Sequence, residues 1–257
     1  MLRPALITAA LLALLYLGCC LFLFVQQRSL LYFPHPGSDA PGTSTLTLRP
    51  DGADGAAVRT TVRSAAGRRA VLYFGGNAED TNQSLPDLEA AFPGHTLYLT
   101  HYRGYGASTG EPSEKALVQD ALALYDHVCA THPQIVAIGR SLGSGVALQL
   151  AAARPLDRLI LVTPYDSLAG IAASHYPIFP VRWLMRDRFD SWRYAPQVTA
   201  PTLLLVAERD EIVPYASTEA LRLRFPAGVA RLRLITGAGH NTIQESHEYV
   251  RLLTGAL

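Results

Sequence analysis

Ser141 is the residue whose setting most clearly suggests chemistry. It is the centre of a Gly-Arg-Ser-Leu-Gly run at 139–143, which follows an apolar stretch at 133–138 and precedes a run of mostly small and apolar residues at 144–150. A strand, a sharp turn and a helix in this order hold a serine hydroxyl clear of the sheet, and the flanking glycines make room for the neighbouring backbone. The pattern predicts a nucleophile, although a serine in a simple tight turn can have the same five letters.

A serine hydroxyl attacks a carbonyl only if a base removes its proton, and the base needs an acid to orient it. Asp210 follows a predicted strand at 202–206, and His240 follows another at 231–235. The carboxyl ends of parallel strands meet at one edge of a sheet, where open α/β sheets bind ligands. We therefore predict that Ser141, Asp210 and His240 form a catalytic triad of nucleophile, acid and base.

The acid has alternatives nearby. Asp166 follows the predicted strand at 159–163, and Glu208 and Glu211 flank Asp210. The chain holds seven further histidines besides His240, but none belongs to an HExxH motif or shows the tight spacing of metal ligands. We expect no metal and no cofactor.

The oxyanion that forms during acyl transfer needs N–H donors aimed at it. The Leu142 N–H lies in the first turn of the predicted helix after Ser141, where it has no partner within the helix. The second donor is expected on the loop after the strand at 69–74, where Gly76 permits close backbone approach. We predict the N–H of Asn77 as that donor.

The composition excludes some other functions. With 257 residues, 49% of them hydrophobic, the chain can form one domain with a sizeable core. A net charge of +1 without a run of basic residues argues against a nucleic-acid partner. Gly104, Gly106 and Gly110 do not have the spacing of a dinucleotide-binding loop, and no helix follows them directly.

The N-terminal segment is apolar and long. Residues 5–25 carry no charge and lie between Arg3 and Arg28. This length suits a membrane-spanning helix better than the shorter apolar core of a signal peptide, although Cys19 leaves lipoprotein cleavage as an alternative. We predict a single-pass, uncleaved anchor at 1–28, with the amino end inside the cell and the domain at 29–257 outside it. The predominance of arginine over lysine suggests a GC-rich bacterium, and hence the bacterial inner membrane.

Short apolar segments alternate with helical ones in the rest of the chain. This alternation of strands and helices predicts an α/β fold, with a mostly parallel sheet and helices on both faces. A stretch at 29–54 rich in Pro, Gly, Ser and Thr is predicted as linker and first loops, and an aromatic, proline-containing stretch at about 167–196 as a small helical cap. The predicted strands are 58–63, 69–74, 96–99, 133–138, 159–163, 202–206 and 231–235, and the predicted helices are about 87–92, 112–129, 144–150, 217–224 and 242–253.

Together these motifs resemble the membrane-anchored serine hydrolases of the α/β-hydrolase superfamily, in particular a branch with an H-G-N-A loop and a Y-R-G-Y-G segment. The order Ser, Asp, His along the chain is also that of the superfamily. Two positions depart from the branch: Gly75 stands in place of the usual His, and His101 in place of a frequent Asp. The first change affects how the oxyanion loop is supported, and Tyr102 and Arg103 are expected to hold that loop. The matching stretches cover nearly the whole chain: 27–34, 76–78, 102–111, 139–143, 207–214 and 239–241.

The resemblance implies a hydrolase without selecting its substrate, because the branch includes lysophospholipase-like, serine-aminopeptidase-like and depalmitoylating members. We expect a small-molecule acyl ester or thioester, since an aromatic cap favours acyl or aromatic groups over highly charged ones. A peptidase or amidase with the same residues remains open. So does a catalytically silent binding module tethered to the membrane.

Overall fold

The sheet is built from short segments, and its central strands are buried along almost their whole length. The computed structural model describes residues 2–50 and 55–255. In this part of the chain eight strands form one sheet: β1 (Ser44–Leu48), β2 (Val58–Arg63), β3 (Arg69–Phe74), β4 (Thr96–Thr100), β5 (Gln134–Arg140), β6 (Arg158–Val162), β7 (Thr202–Arg209) and β8 (Ala230–Gly239). Their spatial order is β1-β2-β4-β3-β5-β6-β7-β8. β2 is antiparallel to both of its neighbours, and all other pairs are parallel, which confirms the mostly parallel sheet.

Eight α-helices lie in the described part of the chain, and five of them cover the two faces of the sheet. The eight are α1 (Leu2–Leu31), α2 (Leu85–Ala91), α3 (Glu114–Val128), α4 (Leu142–Ala153), α5 (Leu168–His175), α6 (Val181–Leu184), α7 (Tyr215–Arg222) and α8 (His247–Thr254). One buried cluster joins α3, α4 and α7 to the sheet, and a second joins α2 and α8 to its other face. The two short helices α5 and α6 lie between β6 and β7 and form the cap.

Three elements differ from the sequence predictions. α1 continues to Leu31, beyond the predicted anchor end at residue 28, because Leu30 and Leu31 are still helix formers. The predicted linker at 29–54 contains β1, an edge strand with mostly exposed residues, while its last residues, 51–54, lie outside the described part of the chain. The predicted helix at 242–253 is divided, since Ser246 is extended and its Oγ accepts the Glu248 N–H to begin α8.

α1 is strongly apolar and little buried. Its most apolar window of 18 residues has a mean hydropathy of 2.5, and 6% of that window is buried in the protein. Within residues 2–50 and 55–255 it is the one helix long and apolar enough to cross a membrane.

Candidate active site

Ser141 occupies a strained turn between β5 and α4. Its backbone has φ +48° and ψ −116°, a conformation that costs an L-residue on the order of 1–3 kcal/mol. Three hydrogen bonds hold the turn: Ser141 N–H donates to the Val162 carbonyl at 2.9 Å, and the Ser144 N–H and Oγ donate to the Ser141 carbonyl at 2.9 and 2.6 Å. The turn lifts Ser141 out of the line of the strand, as the sequence pattern predicts.

Both glycines of the motif are required by close backbone contacts. A Cβ on Gly143 would overlap the carbonyl oxygen of Phe74 on β3, and one on Gly139 would overlap the carbonyl oxygen of Gly143. The turn can therefore pack against the sheet only with glycine at these two positions.

The structure brings the three predicted triad residues together at the carboxyl ends of β5, β7 and β8. His240 Nε2 lies 2.9 Å from Ser141 Oγ, and His240 Nδ1 lies 2.9 Å from each carboxylate oxygen of Asp210. The His240 and Asp210 side chains are only 4% and 3% exposed. Asp210 Oδ1 also accepts the N–H groups of Ile212 and Val213, at 3.0 and 2.7 Å, which fix the carboxylate in place.

The three alternative acids have other partners. Asp166 Oδ1 accepts from the Ser167 N–H and from Ser217 Oγ, at 2.8 and 2.6 Å. Glu208 accepts the Gly237 N–H, and Glu211 accepts the backbone N–H of His240 rather than its ring. In the described part of the chain, Asp210 is the acid whose side chain meets the imidazole of His240. No group of three His, Cys, Asp or Glu residues in that part could hold a metal ion.

The two predicted oxyanion donors belong to segments that lie next to Ser141. Leu142 is the first residue of α4, so its N–H lies in the first turn of that helix. Gly76 lies so close to the nucleophile that a Cβ added to it would be 3.6 Å from Ser141 Cβ, which puts the backbone just before Asn77 beside the site.

The side chain of Asn77 has a role that the sequence did not suggest. Its Nδ2 donates to the Leu31 carbonyl at 2.5 Å, and its Oδ1 accepts from the Phe33 N–H and the Tyr105 hydroxyl at 3.1 and 2.7 Å. These contacts fasten the oxyanion loop to the end of α1. No local pattern could indicate them, because the partners lie 28 to 46 residues away.

A buried carboxylate, Glu79, supports the same loop. Its Oε2 accepts the Gly76 N–H at 2.5 Å and Arg140 Nη1 at 2.9 Å. Its Oε1 accepts from the Tyr73 hydroxyl at 2.5 Å and from Ser84 Oγ at 2.8 Å. Glu79 therefore links the loop of the predicted oxyanion donor Asn77 to Arg140, the residue that directly precedes Ser141.

Arg140 and Glu79 form an ion pair whose side chains are 9% and 8% exposed. Burial is the largest single influence and lowers the pKa of the Arg140 guanidinium, but the charge and hydrogen bond of Glu79, together with the nearby Tyr73 and Tyr249, raise that pKa on balance. Arg140 Nη2 also donates to the His240 carbonyl at 3.4 Å, so the pair contacts the segments of both the nucleophile and the base. Sequence reasoning missed this pair. An arginine at the end of an apolar strand was the available signal, because a buried guanidinium needs a carboxylate.

The Tyr102-Arg103 segment holds the loops around the site. The Tyr102 hydroxyl donates to the Gly75 carbonyl at 2.9 Å, and Arg103 forms a two-point ion pair with Asp120 at 2.7 and 2.8 Å. A cavity of about 400 Å³ lies near His101. None of the five predicted site residues lines it, so it is not the substrate pocket of the candidate site.

Comparison with known proteins identifies relatives of this chain. No protein-family model matches it. An uncharacterized protein of Mycobacterium tuberculosis is 35% identical over 92% of this chain and 88% of its own length. The α/β hydrolase domain-containing protein aho-3 of Caenorhabditis elegans is 30% identical over 71% of this chain, and the protein bem46 of Schizosaccharomyces pombe is 31% identical over 57%. This chain spans about half the length of those last two relatives, 55% and 53%.

The fold has solved counterparts. The α/β hydrolase domain-containing protein 10 from mouse superposes with a TM-score of 0.63 at 18% identity, over 82% of this chain and 96% of that one. A hydrolase from Pseudomonas aeruginosa gives a TM-score of 0.64 at 20% identity, over 85% and 97%. The chain belongs to the α/β-hydrolase superfamily, and it is a hydrolase of that fold. Its relatives include aho-3 and bem46.

Proposed function

We propose that this protein is a serine hydrolase that cleaves carboxylic ester or thioester bonds of acyl substrates through an acyl-enzyme. The observation that carries the proposal is the continuous hydrogen-bonded series from Ser141 Oγ through His240 to Asp210, with 2.9 Å at each step. A base within about 2.6–3.2 Å of a serine hydroxyl, itself oriented by an acid, is the arrangement that activates such a nucleophile.

Acylation follows from these positions. Ser141 Oγ attacks the substrate carbonyl carbon while His240 Nε2 takes the hydroxyl proton, and Asp210 stabilises the imidazolium that results. The negative charge on the former carbonyl oxygen is bound by the N–H groups of Leu142 and Asn77. When the tetrahedral intermediate collapses, the C–O or C–S bond breaks and His240 returns the proton to the leaving alkoxide or thiolate.

Deacylation uses the same groups in reverse. A water molecule gives its proton to His240 Nε2 and attacks the acyl carbon, and a second oxyanion forms in the same place. The bond to Ser141 Oγ then breaks, His240 returns the proton to that oxygen, and the carboxylic acid leaves.

We also propose that α1 is an uncleaved membrane anchor for a hydrolase domain at 29–257, with its cap at about 167–196. Arg28 pairs with the cap residue Asp187 at 2.9 Å, and the Asp187 side chain is 7% exposed. A cleavage beyond Arg28 would leave this buried carboxylate without its cation, so the pair favours retention of Arg28. A cleavage before Cys19 would remove Tyr16, whose hydroxyl donates to the Ile178 carbonyl of the cap at 2.8 Å, so this contact favours retention of the preceding segment. The domain is expected on the extracytoplasmic side of a bacterial inner membrane, and alkaline phosphatase fused after the last residue should be active there.

Hydrolysis of p-nitrophenyl esters of graded chain length, by the detergent-solubilised protein, tests the proposed activity. We expect turnover with an optimum in chain length, and a loss of at least about 10³-fold in Ser141→Ala. Faster turnover of aminoacyl p-nitroanilides than of esters would favour a peptidase or amidase. Turnover unchanged by Ser141→Ala would contradict the proposal, and absence of all turnover would favour a binding module.

A further inference from the structure

The cap lies along the second half of α1, from Tyr16 to Arg28. Near the middle of the uncharged part of α1, the Tyr16 hydroxyl donates to the Ile178 carbonyl at 2.8 Å. The Tyr16 ring also stacks on Phe179, with ring centroids 6.0 Å apart and planes at 5°. Near the end of α1, Gln27 Oε1 accepts the Arg186 N–H at 2.6 Å. The cap residues between these contacts follow the helix from its middle to its end.

These contacts fix how deep the cap reaches when α1 spans a membrane. The uncharged run at 5–25 is about 30 Å long at about 1.5 Å per residue, which matches the hydrocarbon core of a bilayer. Tyr16 then lies about 14 Å inside the core, measured from Val25. Ile178 and Phe179, which touch Tyr16, must lie at the same depth, and the cap then rises along α1 to Gln27, whose Nε2 donates to the Leu184 carbonyl at 3.3 Å. We call residues 176–184 the cap tip.

The side chains of the cap tip suit that environment. Tyr176, Ile178 and Trp183 are 60%, 72% and 89% exposed in the protein alone, so three large apolar side chains face outward. Arg182 is the one charged residue in the cap tip, and its long stem can carry the guanidinium towards the headgroups.

Most backbone N–H groups of the cap tip have a hydrogen-bond partner within the cap, as the hydrocarbon core of a bilayer requires. Pro177 and Pro180 have no N–H to satisfy. Five other N–H groups of the segment donate to carbonyls within the cap: those of Tyr176, Phe179, Val181, Trp183 and Leu184.

The candidate active site is tied to the same end of α1. Asn77, on the oxyanion loop, bonds to the backbone of Leu31 and Phe33. Leu30 and Phe33 are each 52% exposed, so apolar side chains also face outward beside that loop. The loop therefore lies where α1 leaves the membrane.

We propose that the cap tip inserts into the bilayer beside α1, so that the site opens at the membrane surface and takes its acyl substrate from the bilayer. Insertion rests on the contacts of α1 with the cap and on the proposed membrane-spanning role of α1. The origin of the substrate rests, in addition, on the proposed hydrolase function.

The two tryptophans of the chain allow a direct test of insertion. Trp192 is the matched control, because its ring is flanked by the guanidinium groups of Arg193 and Arg224 at 5.1 and 5.7 Å, which do not belong in hydrocarbon. Full-length Trp192→Phe and Trp183→Phe proteins, each with one tryptophan left, are reconstituted into phosphatidylcholine vesicles with or without bromine on the acyl chains. We expect bromine to quench Trp183 strongly and Trp192 little.

Equal quenching of the two tryptophans, with α1 shown to be inserted by carbonate-resistant membrane association, would overturn the proposal. This readout needs no catalysis, so it remains decisive if the proposed function is wrong.

A second measurement tests access to the substrate. Ile178→Ser combined with Trp183→Ser is compared with wild type on a long-chain 4-methylumbelliferyl ester embedded in the vesicles and on the soluble butyrate ester. We expect a loss of about tenfold or more on the embedded ester and less than about twofold on the soluble one. Equal effects on both esters would contradict access from the bilayer. If wild type hydrolyses neither ester, the proposed function fails and the quenching result stands.

Discussion

At the scale of single residues, the role of a carboxylate depends on what it faces. Asp210 and Asp166 both follow strands at the same edge of the sheet. Asp210 meets the ring of His240 and is held by two backbone N–H groups, whereas Asp166 bonds to Ser217. Both were candidates from the sequence, and only the three-dimensional contacts separate them.

Asp210→Asn should reduce kcat by about 10³ to 10⁴, because an amide cannot stabilise the imidazolium or hold the required tautomer. Asp166→Asn is the matched control, since it removes the same charge from a neighbouring strand end. We expect it to change kcat less than about tenfold. Steady-state hydrolysis of a p-nitrophenyl ester measures both, and a larger effect of Asp166→Asn would identify Asp166 as the acid.

Glu79→Gln should impair both folding and turnover. It leaves the buried Arg140 guanidinium without its counter-ion, which costs on the order of 3–5 kcal/mol of stability. It also loosens the Gly76 contact, so kcat per folded molecule should fall by about tenfold or more.

Active-site titration corrects for unfolded protein. Glu89→Gln is the control, because Glu89 pairs with Arg63 at a partly exposed position, where the side chains are 44% and 29% exposed. An unchanged kcat per titrated site in Glu79→Gln would show that Glu79 does not position the loop.

The structure brings together the residues that the sequence predicted to carry chemistry, and it adds supporting residues that the sequence did not predict. Ser141, Asp210 and His240 each follow a recognisable strand, and the structure brings them together. The Asn77 side chain and the pairing of Glu79 with Arg140 escaped prediction because these contacts join segments far apart in the chain.

At the scale of elements, the turn that carries Ser141 depends on the approach of α4 to β3. Gly143→Ala should prevent formation of the native site, because its Cβ would overlap the Phe74 carbonyl oxygen, and backbone on both sides resists movement. Gly170→Ala on α5 is the control, since its Cβ would meet Ser167 at an ordinary 3.4 Å. Thermal unfolding and ester turnover measure the outcome. A stable, active Gly143→Ala protein would contradict this packing.

Among the strands, those with a buried face were predicted well, and the exposed edge strand was missed. The apolar segments of β3 through β7 have clear patterns because tertiary burial demands them. β1 escaped prediction because it is a short edge strand with little buried surface. The close contact between α1 and the cap also leaves no local pattern in either segment.

At the scale of the whole molecule, folding changes the proton affinity of histidines outside the site. Burial lowers the pKa of His101, with a smaller opposing effect from the charge of Asp80. Burial also lowers the pKa of His95. Since the unfolded chain binds these protons more readily, the stabilisation is complete above about pH 6.5 and is lost as the pH falls through that value towards the lower folded pKa.

The melting temperature in detergent should therefore decrease between pH 7.5 and pH 5.5, and less steeply in His101→Gln than in wild type. His127→Gln, on the exposed side of α3, should leave the slope unchanged. Parallel slopes for wild type and His101→Gln would show that His101 does not contribute to the pH dependence.

The central claim is that Ser141 is a nucleophile activated within this fold. The most direct test is the reaction of the detergent-solubilised protein with a fluorophosphonate, followed by mass spectrometry of the labelled peptide. We predict one phosphonyl group per chain on Ser141, with labelling absent in Ser141→Ala and much slower in His240→Ala. A folded wild-type protein that takes up no label, or that takes it up equally in Ser141→Ala, would contradict the account.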